Sequence, residues 1–187
     1  MQLNSLLVLS AALLFGARHP TPTVVLVPQT DAIRTALPGA KQFFVRNVTI
    51  GQDDLARIRK DIDYSPQDPD FKFYLGKRED GSPAGVVLFP QVNTLHGPLE
   101  VALSLNPDGS VASAVVTKAT VETKPWVLDA VRSGLMKRFQ GAKYGDELGS
   151  RVQDVSGGSM AKWQAQVIAT AVYDGLVLHH VLFKADG

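Results

Sequence analysis

Ser156-Gly157-Gly158-Ser159 stands directly ahead of an apolar stretch with helical spacing. A hydroxyl at a helix start, reached through two glycines, suits the holding of a phosphate. Backbone N–H groups are uncommitted there and the helix dipole favours negative charge. The same four residues also read as a flexible helix start with serine as N-cap. The phosphate reading points to a phosphorylated cofactor rather than to acid–base catalysis by side chains. Upstream lie an Asp108-Gly109 turn and a Glu122-Thr123-Lys124-Pro125 step.

Other chemistry finds less support. Glu122 or His96 would be the candidates for a hydrolase, but no nucleophile, base and orienting group stand together. His179 and His180 are adjacent, and neighbours on a strand point to opposite faces. Four histidines without a cysteine give no zinc-type spacing. Trp126 and Trp163 both fit helical core spacing, and the carboxylates of 61–70 read as a solvated loop. No P-loop or Gly-x-Gly-x-x-Gly is present. The chain has no cysteine, which excludes disulfides, thiol nucleophiles, iron–sulfur clusters and thioether-linked haem. Redox chemistry would therefore need a non-thiol cofactor. Nineteen basic and eighteen acidic side chains give a formal charge of +1, without the clustered positive charge of a nucleic-acid surface.

The elements that must position these residues fit within 187 residues, enough for one domain with a real core. Leu6 to Ala17 is an apolar run too short to cross a bilayer comfortably but suited to a signal-peptide core or N-terminal anchor. Residues 1–17 are read that way, which places the protein outside the cytoplasm, periplasmic or membrane-associated. Residues 18–30, rich in Pro and Thr, read as a linker, and the domain as 31–187.

Within the domain the patterns alternate. Asp31 to Pro38 reads as a helix, 41–48 as a strand and 51–62 as an amphipathic helix. Residues 71–76 and 84–89 read as strands about a turn at 79–82. Leu99, Val101, Leu103 and Leu105 alternate as in a half-buried strand, and Val111 to Val121 returns after the Asn106–Gly109 turn. Pro125 opens a helix whose Val127, Val131, Leu135 and Phe139 share a face. A last helix runs from about Ser159 to Tyr173, with Gly175 ending it and 176–183 as a final strand. The order predicts an α+β fold, with a largely antiparallel central sheet flanked by helices.

Taken in order, the hairpin strand, Asp-Gly turn, strand, Glu-Thr-x-Pro, helix, Phe-x-Gly and Ser-Gly-small-Ser resemble the FMN-binding domain family. That family includes the C and G subunits of sodium-pumping quinone reductase and Rnf-type electron-transport complexes. The resemblance covers about 81–173, more weakly from 36. It implies that Ser159 holds or esterifies the FMN phosphate, attached outside the cytoplasm by a flavin transferase. It implies a backbone approach at Ser156, Gly157 and Gly158, and flavin contacts near Glu122 and Thr123. Thr123 equally reads as a cap between strand and helix. His96 would stack on a flavin or donate to it, or serve only as a turn residue; Trp126 and Trp163 would flank the flavin, or sit in the core. This chain departs from the family in Gly158 for alanine, Ser159 for the usual threonine, and Gln153 where an Asp is frequent, with Asp154 one place later.

The resemblance implies an exported flavoprotein relaying electrons between redox partner proteins or within a membrane electron-transport complex. It does not imply a stand-alone enzyme. The alternative is a non-redox ligand- or partner-binding module on the same fold, with a degenerate flavin site.

Overall fold

The computed structural model describes residues 21–66 and 68–183. The apolar run read as an export signal or anchor lies outside them. Seven strands form one sheet in the order β1-β7-β6-β4-β3-β2, with β5 added against β6, and every pairing is antiparallel. The strands are β1 Thr23–Val25, β2 Gln42–Thr49, β3 Asp70–Lys77, β4 Pro83–Leu88, β5 Gln91–Thr94, β6 Gly97–Leu105 and β7 Val111–Thr120. The helices are α1 Gln29–Ala36, α2 Gln52–Ile58, α3 Lys124–Arg132 and α4 Ser159–Leu178. The α+β class and the antiparallel sheet expected from the sequence are therefore the observed architecture.

Strand periodicity explains how the sheet divides its faces. On β6, Val101, Leu103 and Leu105 join the main core with Val86 and Leu88 of β4. Helix α4 supplies Ala165, Ile168, Val172 and Leu176 to the same core, and α3 supplies Val127 and Ala130. The residues between them, Val87 and Ala102, face the other way and pack with Ala32, Ala36 and Leu37 of α1 and its C-terminal end. Ser104 Oγ donates 2.8 Å to the Ala36 carbonyl and pins α1 to this back face.

Several elements depart from the expected pattern, among them β5, which the sequence pattern does not predict, and α2, which ends at Ile58 rather than Ile62. Thr23–Val25, inside the stretch read as a linker, pairs with 118–120 of β7. The helix expected over 125–139 breaks at Gly134, whose φ of +81° is left-handed, and resumes as a 3-10 helix at Leu135–Phe139. The largest correction concerns 176–183. No final strand forms; α4 passes through Gly175 to Leu178 and continues as a π-helical turn, His179–Phe183. A Cβ on Gly175 would lie 2.6 Å from Leu103 Cδ2 and 3.0 Å from Pro90 Cγ. Gly175 thus marks the closest approach of α4 to the sheet rather than the end of the helix. The segment Ser159–Phe183 is long and apolar enough to cross a membrane, but its most apolar window is 67% buried within the fold, as in a core helix.

Candidate functional site

Ser159 is the first residue of α4, and Gly158 occupies the N-cap position with extended backbone. No side chain caps the helix, so neither serine serves as N-cap. Ser156, Gly157, Gly158 and Ser159 are all exposed. The first-turn N–H groups, which an α-helix cannot satisfy internally, therefore open outward beside an uncommitted hydroxyl. Gly157 has φ of +122°, and a Cβ there would lie 3.0 Å from Ala161 Cβ, so the loop folds closely onto the first turn. A Cβ on Gly158 would meet nothing within 4 Å, leaving space in front of the helix. Arg138 donates to the carbonyls of Arg151 and Asp154 at 3.2 and 3.3 Å and anchors the approach to this loop. Gln153 and Asp154 themselves are exposed.

Trp163 lies one helical turn beyond Ser159, so both occupy one face of α4, about 6 Å apart along its axis. The Trp163 ring meets His96 edge to face at 5.3 Å, and Trp126 meets the same imidazole at 5.8 Å. His96 Nδ1 lies 3.0 Å from Glu122 Oε1. An ionised carboxylate only accepts, so Nδ1–H donates and Nε2 is left without a partner among the described residues. The side chains of His96 and Glu122 are 33% and 42% exposed, and both indoles are half-buried. Residues from the β5–β6 hairpin, the β7–α3 junction and α4 thus meet at the start of α4. Gln164, next to Trp163 in the chain, is 1% exposed and its Oε1 has no hydrogen-bond partner among the described residues.

The hairpin tip is held firmly. His96 N–H donates to Thr94 Oγ1 at 3.1 Å, and that hydroxyl donates to the Gly97 carbonyl at 2.9 Å. Gly97 has φ of +98°, and a Cβ there would lie 2.6 Å from Thr120 Cγ2. Thr120 in turn pairs with Thr123 through their hydroxyls at 2.9 Å, with each backbone N–H donating to the other's hydroxyl at 3.2 Å. Thr123 is therefore buried and its hydroxyl is committed within the protein. Of the residues singled out in the sequence, Ser159, Glu122, His96, Trp126 and Trp163 share one end of the molecule. Thr123 sits beneath them, and the glycines line the loop.

The other two histidines among the described residues, His179 and His180, serve elsewhere. His179 is buried and stacks on Phe183 at 4.8 Å, while exposed His180 stacks on Tyr144 at 3.9 Å and 7°. Tyr144 donates 2.9 Å to Asp61 Oδ2, and this hydrogen bond holds its phenol above the usual range. Among the described residues no group of three or more His, Asp or Glu is placed to hold a metal ion.

Two clefts open along the farther part of α4. One, of about 770 Å³, is lined among others by Tyr64, Phe71, Tyr173 and Asp174; the other, of about 410 Å³, by 145–149 with Gln166 and Thr170. Neither reaches the Ser156–Ser159 loop. Burial raises the Asp174 carboxyl to about 6, and burial, with Asp174 assisting, raises the Tyr64 phenol to about 12. Asp174 falls on the polar side of an apolar run, where no sequence pattern singles it out.

Comparison with protein-family models, with curated proteins and with solved structures finds no match.

Proposed function

We propose that this domain carries FMN and relays electrons, with the flavin phosphate held or esterified at Ser159. The observation that carries this reading is the exposed Ser159 hydroxyl at the first position of an uncapped α4. The donor set fits a phosphate: a hydroxyl, the first-turn N–H groups, and a backbone that Gly157 and Gly158 keep bare. Bound FMN supplies two-electron uptake and one-electron release, which a chain without cysteine cannot provide from its own side chains. Gly158 leaves room at the helix start, and the Ser159 hydroxyl would displace a nucleoside monophosphate from a flavin dinucleotide, exchanging the phosphoanhydride bond for the phosphoester and releasing its proton to solvent. Its partners in this reading are redox proteins or a membrane electron-transport complex, together with a flavin transferase acting outside the cytoplasm.

The test is co-expression of the full chain with a flavin transferase, exported to the periplasm. Expected are an intact mass increased by one FMN less one water and a yellow band that survives denaturation, both lost in Ser159→Ala. Label retained on that variant would move the site elsewhere. A second reading, a non-redox binding module, is favoured by the larger cleft lying away from Ser159. A colourless wild-type protein that also fails to bind added FMN would decide for it.

A further inference from the structure

A flavin held by its phosphate at Ser159 must place its ring somewhere within reach of that anchor. Three aromatic rings gather one turn below Ser159, and they come from three separate parts of the chain. Resting on the FMN reading, we infer that Trp163, backed by His96 and Trp126, is the platform on which the isoalloxazine stacks.

Reach comes first. The five-carbon ribityl chain separates the flavin's phosphate from its ring, enough to cover one helical turn. Ser159 and Trp163 are separated by that turn on one face of α4. A phosphate at the helix start therefore delivers the ring to the indole rather than to either distant cleft.

Rigidity comes second. Stacking gains most when the platform is ordered before the ligand arrives. His96 is fixed through Nδ1 by Glu122, through its backbone by Thr94, and through Gly97 by contact with Thr120. With the imidazole held, its edge-to-face contacts at 5.3 and 5.8 Å hold both indoles. Glu122 and His96 are thus positioning residues here, and Trp163 is the surface that touches the ring.

Exposure comes third. The cluster reaches the surface: the His96 side chain is 33% exposed, and both indoles are partly rather than fully buried. The imidazole also keeps Nε2 without a partner among the described residues, able to accept from a ring N–H or, once protonated, to donate to a ring carbonyl.

The chain contains only two tryptophans, and both are in this cluster. Contact with an indole quenches flavin emission, whereas a ring held in solvent emits strongly. The experiment measures flavin emission and intact mass on the full chain loaded by the transferase, for wild type, Trp163→Phe and His96→Ala. Free FMN is also titrated into Ser159→Ala and Ser159→Ala/Trp163→Leu. Expected is quenched emission in wild type that rises several-fold in Trp163→Phe and partly in His96→Ala, with the mass addition unchanged. In the Ser159→Ala background, loss of the Trp163 ring should weaken FMN binding about five- to tenfold, the worth of one aromatic stack. Full mass addition with emission as bright as free FMN in wild type overturns the platform and leaves FMN at Ser159 standing. Emission indifferent to Trp163→Phe does the same. Absence of both mass addition and FMN binding in wild type overturns the two together. Trp163→Phe keeps a ring in place, so the readout survives even if Trp163→Leu does not fold.

Discussion

Replacing Gly175 with alanine sets two effects against each other. Alanine in a helix interior is favoured over glycine by about 1 kcal/mol. Its Cβ, however, would lie 2.6 Å from Leu103 Cδ2 and 3.0 Å from Pro90 Cγ. Ordinary carbon contacts are about 3.5–4.0 Å, so the overlap approaches an ångström on one side. Leu103 is 0% exposed and Pro90 is a buried rigid ring, so neither moves without disturbing the core. Adding a methyl to a filled core costs about 1–3 kcal/mol, and crowding by two neighbours belongs near the top of that range. The net expectation is a loss of about 1–2 kcal/mol in urea denaturation with an unchanged slope. Leu103→Ala should cost about 2–5 kcal/mol by itself, and combined with Gly175→Ala it should cost less than the sum. An alanine variant as stable as wild type, or additive costs in the pair, would refute the claim that glycine is there for close approach.

Asp174→Asn should flatten part of the pH dependence of stability. The folded carboxyl titrates near 6, above its unfolded value near 4, so its favourable contribution is complete below pH 4 and lost as pH rises through 6. Two decades of proton affinity correspond to about 3 kcal/mol, and partial exposure reduces that to about 1.5 kcal/mol. Denaturation midpoints at pH 4 and pH 7.5 should show the variant gaining only at the higher pH. Gln164→Met removes a buried acceptor that has no partner among the described residues and should raise stability by about 1 kcal/mol in thermal melts. Gly157→Ala places a Cβ at φ of +122° and 3.0 Å from Ala161 and should cost about 1–2 kcal/mol. If FMN is held at Ser159, that variant should also load it more slowly, as followed by mass.

Much of the sheet was legible because strands leave short-range marks. The alternation of Leu99, Val101, Leu103 and Leu105 is β6, and Asn106–Gly109 is the turn into β7. The α4 start was legible for the same reason, since Gly158 and Ser159 interrupt polar sequence just before the apolar run. The continuation of α4 beyond Gly175 was not. A short apolar run reads equally well as strand or buried helix, and glycine reads as a stop unless the facing surface is known. Gly134 acted the other way, breaking a helix whose apolar spacing runs on unbroken to Phe139. The pairing of His96 with Glu122, and the meeting of two tryptophans on that imidazole, carry no periodic signal. They arise because the β5–β6 hairpin tip folds over the β7–α3 junction, a contact between residues 26 apart. Core spacing holds for Trp163, which packs against the main core, whereas Trp126 is partly buried against His96 outside both core clusters.

The sheet gives α1 a face of its own, and that arrangement separates two levels of opening. A small cluster of five buried residues with a partly buried rim, the Ser104 hydroxyl and a Gln29–Tyr74 hydrogen bond hold this helix, while α3 and α4 share the large core on the opposite side. Lifting α1 away uncovers Val87 and Ala102 but leaves every strand pairing and the start of α4 intact. Its amides should therefore exchange with deuterium through a local, inexpensive excursion, whereas those in the middle of α4 must wait for the whole domain to come apart.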